Sequence, residues 1–139
     1  MNFNFKQALE RLEYSKIIES KAEQFVNQSL DSLKEHILYN GLNIDDGCYF
    51  KLGIVDCSNK YSDSYDLVAI CYKVGSYELG SMTFEKFGVV ESVFEIIEKE
   101  LNDEGFLCTP SKLPGFCRVI KITIWCHAIC GIFSTDSFY

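Results

Sequence analysis

The chain has 139 residues, of which 47% are hydrophobic and 14% are aromatic. A chain of this length usually folds as one domain around one core, and its apolar content argues against disorder. Twenty acidic and thirteen basic residues give a formal net charge of -7. Because the bases are scattered along the sequence, this charge should repel both nucleic acids and anionic membranes. We therefore expect one acidic domain that does not bind nucleic acid or membranes directly.

The amino-terminal sequence and the cysteines predict the compartment. Residues 1–7 do not show the basic segment followed by an apolar stretch that begins a signal peptide, and charges interrupt the apolar runs. Seven cysteines are an odd number, and they lie among apolar neighbours. This pattern favours reduced thiols over a disulfide framework. We expect a cytoplasmic protein.

The first 41 residues predict one long amphipathic helix, with Asn4 as its amino-terminal cap and Gly41 in its stop signal. Its apolar residues recur at three- and four-residue intervals: Phe5, Leu9, Leu12, Ile17, Ile18, Phe25, Val26, Leu30, Leu33 and Ile37. Near Tyr14 the apolar residues depart from a single helical face, so a break in the helix at this point is an alternative. His36 lies late in the helix, where the helix dipole favours a cation, so we expect it to have a structural role.

Residues 48–84 predict a three-stranded antiparallel meander. Apolar and polar residues alternate over 48–56, as in a strand with one buried face. Residues 67–74 are rich in β-branched and aromatic side chains, as in a central strand. Gly75 begins a two-residue turn of the type that joins hairpin strands, and this turn leads into a third strand at 77–84.

A second helix is predicted over residues 88–104, followed by a β-hairpin over 106–126 and a tail over 127–139. The apolar residues of this helix have helical spacing: Val90, Val93, Phe94, Ile97 and Leu101. Gly105 follows it in the position where glycine commonly ends a helix. Antiparallel strands with helices packed on one face define an α+β domain.

One segment combines three candidate metal ligands, Cys126, His127 and Cys130. Zinc sites usually take four ligands, and a single Cys-x-x-x-Cys spacing leaves the set incomplete. The alternatives are a zinc site, a thiol–histidine catalytic pair, and cysteines that only pack in the interior. The sequence contains no phosphate-binding loop, so nucleotide binding is not supported. The carboxylate pairs have no histidine or metal signal near them, so we expect no cofactor and assign no catalytic residue.

The second helix carries an acidic stripe. Glu91, Glu95 and Glu98 lie within about 60° of one another on a helix of 100° per residue. Glu100, Asp103 and Glu104 continue the negative charge around the end of the helix. An ordinary solvated face is one interpretation, and a row of carboxylates that meets a basic protein surface is the other. Two tyrosines in the preceding loop region are candidate anchors for such a partner: Tyr61 and Tyr65.

Two known architectures resemble this element order. The order helix, three strands, helix is similar to that of double-stranded-RNA-binding domains, but their second helix begins with lysines, and here it begins with Val89, Val90 and Glu91. The acidic helix behind a meander also resembles some phage-encoded anti-CRISPR inhibitors that mimic DNA. This second resemblance rests on architecture and charge from Tyr77 to Gly105, and it implies a basic partner such as a nucleic-acid-binding nuclease.

The sequence therefore favours a non-enzymatic protein-binding module, an inhibitor or adaptor that docks on a basic surface. One alternative is a thiol- or zinc-dependent protein that uses Cys126, His127 and Cys130. A second alternative is a subunit of a homo-oligomer, for instance a homodimer, in which the long helix pairs with its own copy through positions such as Tyr14 or Leu38.

Overall fold

A computed structural model describes residues 5–39, 48–72 and 76–124, and it confirms the α+β fold. Its elements are α1 (Phe5–Tyr39), β1 (Cys48–Asp56), β2 (Tyr65–Cys71), β3 (Tyr77–Phe84), α2 (Phe87–Asp103), β4 (Leu107–Ser111) and β5 (Phe116–Ile124). All seven predicted helices and strands are present. The predicted cap Asn4, the stop at Gly41, the turn at Gly75 and the tail 127–139 lie outside the described residues.

The five strands form one antiparallel sheet in the order β3-β2-β1-β5-β4. The meander β1-β2-β3 is confirmed, and the β4–β5 hairpin joins it through pairing of β5 with β1. Leu52 at the centre of the sheet faces Ala69 on one side and Ile120 on the other. Pro110, which the sequence placed in a loop, lies in β4. An edge strand tolerates proline because one of its two sides forms no backbone hydrogen bonds with a neighbouring strand.

Both helices pack against the sheet, and the core lies between the two layers. The predicted apolar face of α2 is fully confirmed, since all five residues that formed it are buried. The sheet contributes alternate residues to the same core: Phe50, Leu52, Ile54, Leu67, Ala69, Cys71, Ile120 and Ile122. This period of two is the expected result of burying one face of a sheet.

α1 is one continuous helix, so the break near Tyr14 is not observed. Its buried stripe begins only at Ile18 and consists of Ile18, Ala22, Phe25, Ser29, Leu33 and His36. The sequence-based stripe was wrong in the first half of the helix, where Phe5, Leu9, Leu12 and Ile17 are exposed. At 100° per residue, Leu9 and Phe25 lie about 160° apart around the axis, so one face cannot bury both.

α1 and β3 approach each other closely at Gly80. A Cβ atom added to Gly80 would lie 2.8 Å from Oγ of Ser29. Ser29 is buried, and its hydroxyl has no hydrogen-bond partner among the described residues. The absence of a side chain at Gly80 therefore sets the distance between the helix and this strand.

Candidate functional site

The carboxyl-terminal end of α2 is built by a Schellman motif. The amide of Phe106 donates to the carbonyl of Leu101, and the amide of Gly105 donates to that of Asn102, both at 3.0 Å. Gly105 has a φ of 95°, which confirms its predicted role after the last turn. The motif brings Leu101 and Phe106 together, and both side chains are buried beside α1.

A depression of about 540 Å³ opens where this helix end meets α1. Its floor consists of apolar side chains from both helices and the following turn: Val26, Leu30, Leu101 and Phe106. Its rim carries three carboxylates, those of Glu100, Asp103 and Glu104. We call this depression, defined by these seven residues, the acidic groove. Two of its carboxylates belong to the predicted partner-binding residues. Glu100 was predicted only as part of the acidic charge at the end of the helix, and the apolar floor was not predicted.

The three rim carboxylates do not stabilise the helix that carries them. They lie in or just after the last turn of α2, where the exposed carbonyl groups create a partial negative charge. The last turn contains no basic residue. Within the described ranges, no salt bridge reaches Glu100, Asp103 or Glu104. The groove therefore combines an apolar floor with three carboxylates that form no salt bridge to a described base, although Lys99 directly precedes Glu100 in α2.

The amino-terminal part of the acidic stripe has a different environment. Nη1 of Arg118 lies 3.2 Å from a carboxylate oxygen of Glu95 and 3.8 Å from one of Glu91. The same guanidinium group lies 4.6 Å from the ring centroid of Phe94. Arg118 thus offsets much of the negative charge that the sequence assigned to these two glutamates, although both side chains remain accessible.

Glu98 completes the predicted stripe and is half-buried. Desolvation raises the pKa of the neighbouring Cys108 thiol to about 11, and the charge of Glu98 contributes to this increase. At neutral pH the Cys108 thiol is therefore protonated and a poor nucleophile. It lies on the core-facing side of β4, opposite Ile122 of β5.

The two candidate anchors are not equivalent. Tyr61 is 84% exposed in the loop between β1 and β2. Tyr65 is the first residue of β2 and is half-buried against the core. Its ring packs edge-to-face with that of Phe87, with the two centroids 5.4 Å apart. Neither residue lines the acidic groove. Tyr61, whose ring centroid lies 5.1 Å from Nζ of Lys60, is therefore accessible to a partner, whereas Tyr65 contacts the first residue of α2.

The candidate metal ligands Cys126, His127 and Cys130 lie outside the described residues. Among the residues that are described, no cluster of three or more histidine, cysteine or acidic side chains could hold a metal ion. His36, the other histidine, is buried and stacks on Tyr77 with ring centroids 4.3 Å apart. This packing agrees with the structural role expected for His36.

The sheet face away from the helices carries a feature that the sequence did not reveal. The register places Lys51 of β1 opposite Lys121 of β5. Nζ of Lys121 lies 4.5 Å from the ring centroid of Tyr49, and Nζ of Lys51 lies 5.5 Å from that of Tyr72. Burial, and to a lesser extent Tyr49, raises the pKa of Tyr72. The rings stabilise two like charges that would otherwise repel across the strands.

This pair shows that strand register can bring together bases that are distant in sequence. Two ammonium groups are still fewer than the roughly six to ten phosphate contacts of strongly salt-dependent DNA-binding proteins. The absence of direct nucleic-acid binding therefore stays a prediction. The alternation of Tyr49 and Lys51 with buried residues was visible in the sequence, but the pairing of β1 with β5 was not.

No protein-family model matches this chain, and comparisons with curated proteins and with solved structures found no significant match. Neither of the two described helices combines the length and apolar character needed to cross a membrane. What the site can do must therefore be inferred from its own geometry and charge.

Proposed function

We propose that this protein is a non-enzymatic protein-binding module, an inhibitor or adaptor, and that a basic segment of its partner docks in the acidic groove. The observation that carries the proposal is the position of Glu100, Asp103 and Glu104 around an apolar floor. These acids oppose the helix dipole and form no salt bridge with a described base. Binding of a cation at this rim would relieve both effects.

The groove selects for a particular partner chemistry. Its floor accepts a leucine- or phenylalanine-sized side chain, and its three carboxylates accept lysine or arginine on either side of it. An amphipathic segment with one apolar anchor and flanking bases offers this combination. The rim charges would mainly accelerate association and make the complex sensitive to salt.

Fluorescence anisotropy with a labelled amphipathic helical peptide of leucine and lysine tests this proposal. The wild-type protein should bind this peptide. A control peptide in which glutamate replaces every lysine should not bind. In the variant Glu100→Lys/Asp103→Lys/Glu104→Lys, the affinity should fall at least about tenfold at low salt, because repulsion replaces attraction at the rim.

A matched control separates the groove from net charge alone. Asp63, Glu78 and Glu85 are exposed and lie outside the groove. The variant Asp63→Lys/Glu78→Lys/Glu85→Lys makes the same change in net charge and should retain most of the peptide affinity. An equal loss of affinity in both triple variants would show that the groove has no special role and would refute the proposal.

A further inference from the structure

The first half of α1 carries an exposed apolar stripe. Leu9 and Leu12 are each 59% exposed, and Phe5 is 74% exposed. At 100° per residue these three side chains lie within about 60° of one another, on one face of the helix. We call Phe5, Leu9 and Leu12 the amino-terminal stripe. Lys16 follows on the same face and ends it.

This segment receives little support from the rest of the described structure. None of residues 5–17 is buried, and the first core residue of α1 is Ile18. An isolated helix of about this length is only marginally stable in water. Large apolar side chains that share one exposed face of a helix form a candidate interaction surface.

We propose that the amino-terminal stripe pairs with the same stripe of a second copy of this chain, with the two helices antiparallel. A two-fold axis near Leu9 places Phe5 of one copy beside Leu12 of the other. Lys6 and Glu13 share one flank of the stripe at 100° per residue, so each Lys6 lies near Glu13 of the second copy. Opposite charges thus meet twice, and the helix dipoles oppose each other.

The pairing would give the proposed binding module two docking sites. This consequence, unlike the pairing itself, rests on the proposed function. About nineteen residues of α1 separate Leu9 from the middle of the acidic groove, or roughly 29 Å at 1.5 Å per residue. The two grooves of the dimer would then lie roughly 60 Å apart. A partner with two basic segments at that spacing would bind more tightly than one with a single segment.

Sedimentation equilibrium on the full chain tests the pairing. The contact is smaller than the roughly 1,200 Å² of stable interfaces, so protein concentrations of roughly 10–500 µM should be compared. The average mass of the wild-type protein should rise from that of one chain toward that of two. The variant Leu9→Glu/Leu12→Glu should remain monomeric over the whole range.

The chain offers a closely matched control in Tyr14→Glu/Ile17→Glu. Tyr14 and Ile17 are 48% and 54% exposed on the same helical segment, but they lie outside the stripe. This variant should dimerise like the wild type. A wild-type protein that stays monomeric, or equal loss of dimer in both double variants, would overturn the proposal. Peptide binding by the monomeric variant should persist, so failure here is distinct from failure of the groove.

Disulfide cross-linking tests the orientation of the helices. In the antiparallel arrangement, position 9 faces its own counterpart across the two-fold axis. Mild oxidation of Leu9→Cys should therefore yield a covalent dimer linked through position 9, identified by mass spectrometry of the proteolysed product. Tyr14→Cys carries the same native cysteines and should yield little cross-link at position 14. Similar yields at both positions would contradict the antiparallel pairing.

Discussion

Cys57 shows how the surroundings of an exposed thiol control its chemistry. Its Sγ atom lies 3.6 Å from Oδ2 of Asp66, which also accepts a hydrogen bond from Thr83 through Oδ1 at 2.7 Å. Partial desolvation and then the charge of Asp66 raise the pKa of Cys57. This environment disfavours the thiolate, so Cys57 lacks the activation that a catalytic cysteine needs.

Replacement of Asp66 by asparagine should lower the pKa of Cys57, because it removes a negative charge that opposes deprotonation. Alkylation of Cys57 by iodoacetamide at pH 8 should become severalfold faster, because a lower pKa raises the fraction of thiolate at this pH. The difference should vanish at a pH above both pKa values. Peptide mass spectrometry measures the rate at each cysteine.

The exposed Cys117 provides an internal reference for this experiment. Its alkylation rate should be the same in both proteins, because it lies on β5, away from the Asp66 pair. Equal alkylation rates of Cys57 with and without the Asp66 carboxylate would show that this carboxylate does not control the thiol.

Individual contacts of this kind could not be predicted from the sequence, because they depend on pairing between segments that are distant along the chain. Glu91 and Glu95 were predicted as one face of a helix, and the structure places both on α2. The sequence did not show that β5 brings Arg118 against them. The negative charge of these glutamates was evident from the sequence, but their salt bridges with Arg118 were not.

At the scale of elements, the packing of α1 on β3 depends on the pair Ser29 and Gly80. Gly80→Ala should destabilise the fold by about 1–3 kcal/mol, because the new methyl group meets the Ser29 hydroxyl. Ser29→Ala should stabilise it by about 1 kcal/mol by removing an unpaired buried hydroxyl. In the double variant the alanine at position 80 should be better tolerated, with a coupling of roughly 0.5–3 kcal/mol.

Urea unfolding of the four proteins in this cycle measures the coupling. Among the described residues, the Ser29 hydroxyl oxygen is the one atom beyond the chain neighbours of Gly80 that a methyl group at position 80 would approach within 3.4 Å. If the effects of the two single substitutions simply add, the close approach at Gly80 does not limit the packing of α1 on β3.

Secondary structure was predictable because most elements have a clear period. The apolar spacing of α2 identified each of its five buried residues, and β1 and β3 have the predicted bounds. α1 was predicted as a helix but with a partly wrong face. The apolar residues of α1 have helical spacing on two different faces of the helix. One face is buried in the core and the other is exposed, and the local spacing of apolar residues does not show which face is buried.

At the scale of the whole molecule, several bases contact aromatic rings or acids of the chain itself. Arg118 lies beside Glu91 and Glu95, and Lys51 and Lys121 lie over tyrosine rings. Lys21 lies 5.6 Å from the ring centroid of Phe84. Among the described residues, no base forms a salt bridge with a carboxylate of the acidic groove. The negative charge is therefore unevenly distributed over the molecule, and the three carboxylates of the groove form one concentration of it.

The fold was thus more predictable than the candidate site. The acids Asp103 and Glu104 and the helix-ending Gly105 were recognised from local sequence. The floor of the groove was not recognised, because Val26 and Leu30 come from α1, more than seventy residues earlier in the chain. No local pattern specifies how two helices cross, so the apolar part of the site appears only after folding.

The central claim is that the rim carboxylates serve binding rather than stability, and one double variant tests it most directly. Asp103→Asn/Glu104→Gln removes two negative charges from the negative end of the α2 dipole. The free energy of unfolding should therefore rise by about 0.5–2 kcal/mol, which excludes unfolding as the cause of any lost binding. The decisive measurement is the affinity of this variant for the leucine–lysine peptide at low salt. We predict an affinity about tenfold weaker than that of the wild-type protein; an unchanged affinity would contradict the proposed role of the groove.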